Sequence, residues 1–152
     1  MTLESTPYSY RTDSNVPRFP DDGPLIVFDG LCIFCSAFIK MVLRHDRREA
    51  FRFVLAQSAL GQALYQHYRL DTRVFETNLV IVDGRVYTKL DAFVQVAKRL
   101  ALPWRLLAVV QVLPRFFADR LYDVIARNRY RLFGRTDHCM VPPQHVQTRF
   151  LE

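Results

Sequence analysis

The stretch that most restricts the fold is "LIVFDGLCIFCSAFIKMVLRHD", Leu25 to Asp46, where the spacing of apolar side chains changes within a few positions. Leu25, Ile26, Val27 and Phe28 form a short, continuously apolar, β-favouring run, which predicts a buried strand. Asp29-Gly30 ends it. Phe34, Phe38, Met41 and Val42 then recur at helical spacing, and Cys35, Ile39 and Leu43 widen the same face. Arg44, His45, Arg47 and Arg48 close the segment with cations that suit a helix C-terminus. Strand, tight turn and helix follow one another here without a linker.

The next apolar run, "FRFVLA" from Phe51 to Ala56, predicts a second strand, and two strands joined through a helix imply a parallel βαβ unit. Ser58 is placed to cap a helix carrying Leu60, Ala63, Leu64, His67 and Tyr68. In "NLVIVDGRVYTK" the pair Asp83-Gly84 separates two β-favouring runs, a strong hairpin signal. Phe93, Val96, Ala97 and Leu100 give a further helical face. Pro103 and Pro114 divide the remainder into more helices, the last ending near Gly134. The order is β-α-β-α-β-β-α with a helical C-terminal extension, an α/β chain whose mixed sheet is covered by helices. Residues 1–23 are polar and broken by Pro7, Pro17 and Pro20, so a flexible N-terminal arm is expected there. Residues 24–152 are expected to form one domain, since 152 residues suffice for one well-buried core.

Three cysteines are too few for a disulfide scaffold, and the first residues lack the basic head and apolar stretch of a secretory signal. A cytoplasmic protein with reduced thiols is expected. No membrane span is expected either, because the longest apolar candidate, Leu100 to Leu113, is short and carries Pro103 and Arg105. The net charge of +6 is concentrated late, in Arg115, Arg120, Arg127, Arg129, Arg131 and Arg135. Phe117, Leu121, Val124 and Ile125 on the same segment predict a buried helix face, and Asp119 and Asp123 break the charge run. A solvated helix face, with no nucleic acid bound, is the expectation.

Cys32 and Cys35 carry the chemistry. The unpaired amides of a helix's first turn stabilise an adjacent anion, so the Cys32 thiolate is favoured there. Cys35 lies one turn on, within disulfide reach and on the apolar face, which predicts the deeper burial. Cys32 is therefore the candidate attacking thiolate and Cys35 the resolving thiol. Asp29 is a candidate proton acceptor for Cys35, or else a turn residue bonding to the next amides. A metal site or an inert core pair uses the same two residues. His138 and Cys139 could complete a zinc site with them, although adjacent ligands suit tetrahedral geometry poorly. A thiol in a C-terminal loop is the plainer expectation for Cys139, and a backup resolving cysteine the third. His45, His67 and His145 have no partner at catalytic spacing. An arginine approaching Cys32, Arg127 or Arg129, would help hold the thiolate. An aspartate-nucleophile phosphatase would need a carboxylate two positions after Asp29, where Leu31 stands.

The segment "FDGLCIFC" resembles the Asp-Gly-x-Cys-x-x-Cys signature of the DCC-type thiol–disulfide oxidoreductases, named for the Asp and the two Cys, here Asp29, Cys32 and Cys35. The likeness continues through "FRFVLAQSALGQAL", "LVIVDGRVYTKLDAF" and "LPRFFADRLYDVIARNRYRLFGRTDHC", from Leu25 to Cys139. It implies a thioredoxin-like fold and a cysteine-pair active site acting on a protein or low-molecular-weight disulfide or thiol. No bound cofactor is required, since the electrons reside on the sulfurs. The chain departs from thioredoxins in three ways. "VFETNLVIV" has no proline for the cis-proline position, no Trp precedes Cys32, and Ile33 and Phe34 bring no charge between the cysteines, so a strongly oxidising enzyme is not expected. Leu90 stands where the family pattern suggests Ser.

Overall fold

The computed structural model describes residues 6–100, 103–112 and 114–152, without the side chains at 107, 108, 110 and 111, so Leu100 to Leu113 lies partly outside the described residues. At the centre is β1, Leu25–Phe28, all four residues buried. Strand β2, Arg52–Leu55, runs parallel to it with Leu25 opposite Arg52 and Phe28 opposite Leu55. On the other side β3, Leu79–Val82, is antiparallel and turns into β4, Arg85–Thr88. Helix α1, Ile33–His45, connects the two parallel strands, and α2, Ala59–His67, leads towards β3. Helices α3, Lys89–Ala97, and α4, Arg115–Phe133, follow, with a 3-10 helix, Trp104–Val112, between them. This is the α/β, thioredoxin-like order β-α-β-α-β-β-α with its helical extension.

Side chains alternate along each strand, and that alternation builds two cores. Leu25, Val27, Val54, Leu79 and Ile81 pack with Leu60, Leu64 and Tyr65 of α2. Ile26, Phe28, Phe53, Val80 and Val82 pack with Cys35, Ile39 and Val42 of α1 and Ala92 and Val96 of α3. The two cysteines thus belong to the layer where α1 lies on the sheet. Phe34 and Phe38, expected at the centre of the α1 face, sit at its edge. Phe34 stacks on Phe133 of α4 at 4.8 Å and Phe38 meets Phe93 of α3 at 4.6 Å.

Local signals explain the element ends. The Ser58 hydroxyl accepts the Gly61 amide at 3.1 Å, capping α2 as its position predicts. Asp83 and Gly84 both adopt positive φ, 50° and 74°, the geometry a two-residue hairpin needs. A Cβ at Gly84 would also lie 2.4 Å from the Tyr8 ring, which packs on the hairpin tip. Gly84→Ala is expected to lower stability by about 2 kcal/mol from the left-handed backbone and the displaced ring, read as a lower urea midpoint with unchanged slope.

Three features differ from the sequence expectations. Along residues 6–23 the chain lies against the domain. Tyr10 and Val16 are buried in the α2-side core, and Phe19 stacks on Tyr10 at 5.2 Å. His67 of α2 joins Asp13 at 2.7 Å and Ser9 at 2.8 Å. Low average hydropathy hid a few large side chains at useful spacing. A fifth strand, β5, Phe150–Leu151, pairs parallel with β2 and completes the order β4-β3-β1-β2-β5. It is held by Phe150 stacked on Phe53 at 5.1 Å and by a buried ion pair between Arg149 and Asp46. Finally, α4 presents Phe117, Leu121, Val124 and Ile125 to solvent, while Ala118 and Arg129 face inward. The expectation of a buried apolar face there is reversed, for a reason that lies in the site.

Candidate redox site

Strand β1 ends at Phe28, and Asp29, Gly30 and Leu31 turn the chain so that Cys32 becomes the N-cap of α1. Its Sγ accepts the Cys35 amide at 3.3 Å, so the sulfur occupies the place a capping oxygen would. Both thiols are free. The Cys32 thiol is drawn down to about 7, chiefly by the hydrogen bond from the Cys35 thiol, then by the Cys35 amide and the Arg129 charge. Burial and the Asp29 charge oppose this. Cys35 moves strongly the other way, because it donates to Cys32, is buried, and faces that sulfur's negative charge. The two neighbouring thiols are thus displaced in opposite directions.

Asp29 is buried and surrounded by donors. The Leu31 amide reaches its Oδ1 at 3.0 Å and Gln57 Nε2 reaches the same oxygen at 2.6 Å. From α4, a hundred residues later in sequence, Arg129 donates to Oδ2 at 3.3 Å and the Tyr130 hydroxyl donates to the same atom. Arg129 is 4% exposed. Its Nε has no hydrogen-bond partner, and its guanidinium lies 4.8 Å from the Tyr130 ring centre. A buried charge is tolerated when it is paired, and Asp29 supplies the pairing. That pairing is what turns α4 over. Of the two arginines expected near Cys32, Arg129 is brought to the site and Arg127 points to solvent.

Cys32 is 0% exposed, so both thiols of the pair are closed off from solvent. The cover is the segment after α4. Gly134, at φ 88°, ends the helix, and Arg135 bridges Cys32 as in an antiparallel pair. The Thr136 amide donates to Leu31 O and the Met140 amide to Gly30 O, both at 3.0 Å. A Cβ on Gly30 would sit 3.5 Å from Cys139 Cβ, so the third cysteine flanks the motif. Among the described residues no three His, Cys, Asp or Glu side chains converge as metal ligands. His45 bonds the Met41 carbonyl at 2.9 Å near the end of α1.

Residues 26–135 match the family described as DCC1-like thiol-disulfide oxidoreductase. The chain belongs to this family. Two relatives of this DCC1-like protein extend the comparison. Bacillus subtilis (strain 168) has one named Uncharacterized protein YuxK, 35% identical over 127 residues, which are 84% of this chain and 93% of the relative. Arabidopsis thaliana has DCC family protein At1g52590, chloroplastic, 35% identical over 120 residues, or 78% of this chain and 70% of the relative. No solved structure matches. The motif residues Asp29, Cys32 and Cys35 were visible in sequence and Arg129 was one of the two arginines expected near Cys32, whereas Gln57 and Tyr130 were not foreseen beside them.

Proposed function

We propose that the protein is an enzyme of thiol–disulfide exchange in which Cys32 attacks and Cys35 resolves. The observation that carries this is the opposite displacement of two neighbouring thiols, Cys32 down to about 7 and Cys35 up, at one helix N-terminus. The Cys32 thiolate attacks one sulfur of a substrate disulfide, forming a mixed disulfide and releasing the other substrate sulfur as thiolate. Cys35 then loses its proton and attacks Cys32 Sγ. The Cys32–Cys35 disulfide forms, the second substrate thiolate leaves, and the substrate has gained the two electrons the protein lost. Reversal oxidises a dithiol substrate.

Asp29 accepts the Cys35 proton in this scheme and also fixes the turn through the Leu31 amide. Two backbone hydrogen bonds hold residues 134–140 over Gly30 and Leu31, so this scheme requires that segment to lift for substrate to meet Cys32. A protein or low-molecular-weight disulfide fits this scheme in a reducing compartment such as the cytoplasm. Among the described residues no helix is long and apolar enough to cross a membrane.

Asp29→Asn separates the two steps. Its lost charge no longer opposes the Cys32 thiolate, so first attack on a model disulfide is expected to stay equal or quicken. Resolution should slow by about 100-fold or more for want of the acceptor. Cys35→Ser should stop at the mixed disulfide altogether. Stopped-flow with quench and intact mass reads both steps, and a resolution rate unchanged in Asp29→Asn removes Asp29 from the proton path.

A further inference from the structure

The outward side of α4 carries a line of large exposed apolar side chains. Phe117, Leu121, Val124 and Leu132 follow one another at helical spacing and are 63%, 59%, 55% and 63% exposed. Only Asn128 interrupts the stripe, and its amide is turned back onto the Val124 carbonyl at 2.8 Å. Along one edge of the stripe run Arg120, Arg127 and Arg131, all exposed. The acids of this helix lie elsewhere, since Asp123 is bound to Lys89 at 2.8 Å and Asp119 is half-buried. Phe116 and, before the helix, Val112 add further exposed apolar surface.

We propose that this face of α4 binds the surface of an anionic lipid bilayer, its apolar stripe entering the headgroup boundary and its arginine edge meeting lipid phosphates. An apolar stripe with a cationic border is the pattern of a helix lying in the membrane interface. Charge selects this occupant over the others. A second copy apposed through the stripe would bring its own arginine edge, and like charges would meet without an acid on either side to balance them. A nucleic acid would satisfy the arginines but leave Phe117, Leu121 and Leu132 without an apolar partner. The inner side of the same helix carries Arg129 and Tyr130 to Asp29, so docking holds the redox site roughly one helix diameter, about 10 Å, from the lipid. The binding itself does not depend on the redox chemistry.

The full chain would be sedimented with sucrose-loaded vesicles of phosphatidylcholine containing about a third phosphatidylglycerol, and with pure phosphatidylcholine vesicles. Each arginine near a charged surface contributes about fivefold to partitioning, so Arg120→Gln/Arg127→Gln/Arg131→Gln should weaken binding to the anionic vesicles about 100-fold. Leu121→Ser/Leu132→Ser should weaken it by at least 10-fold at unchanged charge. These positions are exposed, and circular dichroism together with the Cys32 titration confirms that each variant is folded. Equal binding to both vesicle types, or none to the anionic one, would overturn the proposal. So would loss in the arginine variant with none in the leucine variant, which marks charge attraction alone. Dimerisation of the wild-type chain, abolished by Leu121→Asp, would assign the face to a second copy instead.

Discussion

Arg129→Met is expected to destabilise the protein by about 3 kcal/mol or more, although Met nearly matches the arginine stem in length. The substitution strands the Asp29 carboxylate among buried groups, leaving only the Leu31 amide, Gln57 and Tyr130 as donors. Asp29→Asn in the same chain should recover most of the loss, since neither charge then remains buried. A thiol readout separates this structural effect from a functional one. The Arg129 charge holds the Cys32 thiol down and the Asp29 charge pushes it up. Arg129→Met should therefore move the pH profile of Cys32 alkylation upwards, and Asp29→Asn should move it downwards. Opposite displacements in two folded variants identify Arg129 as a positioning residue that tunes the sulfur. A common displacement, or none, leaves it a structural partner only.

Cys32→Ser is expected to lower disulfide exchange by at least about 1000-fold, because a hydroxyl at that position has no anion to offer near neutrality. In the wild-type chain the first-step rate should climb with pH as thiol becomes thiolate, and reach half its plateau near pH 7. The direction follows from the acid being neutral when protonated: above the midpoint the reactive anion predominates, and below it each pH step costs about tenfold. Cys35→Ala changes the sulfur's surroundings as well as the resolving step. It removes the donor that lowers Cys32 most, so its first-step midpoint should lie above the wild-type value. Stopped-flow alkylation with iodoacetamide, with Cys32→Ser as the blank, measures all three. Exchange persisting in Cys32→Ser would transfer the nucleophile's role to Cys35 or Cys139.

Much of this architecture is written in local patterns. The unbroken run Leu25–Phe28, ended by Asp29-Gly30, suggested a buried strand and is one, and Asp83-Gly84 supplied the two positive φ values that its hairpin uses. Ser58 stood at the one place where its hydroxyl caps α2. Cys32 and Cys35 could be placed because helix geometry fixes what three residues apart means. The misreadings share a physical origin, namely contacts between distant segments. Periodicity in α4 sorts apolar residues inward, yet Asp29 at the end of β1 drew Arg129 inward and turned the stripe out. The burial of Cys32 depends on residues 134–140 folding back over Gly30 and Leu31. Strand β5 is two residues long and owes its place to Arg149 meeting Asp46 and Phe51 across the fold.

The most direct measurement is the thiol state of the purified protein across a series of glutathione redox buffers, followed by alkylation and intact mass. One reversible disulfide between Cys32 and Cys35 is expected, with a midpoint between about −300 and −120 mV, the range spanned by exchange proteins. The loss of two mass units should be absent from both Cys32→Ser and Cys35→Ser. Thiols that stay reduced across the whole series, or a disulfide that instead requires Cys139, would contradict the assignment of this pair as the redox centre.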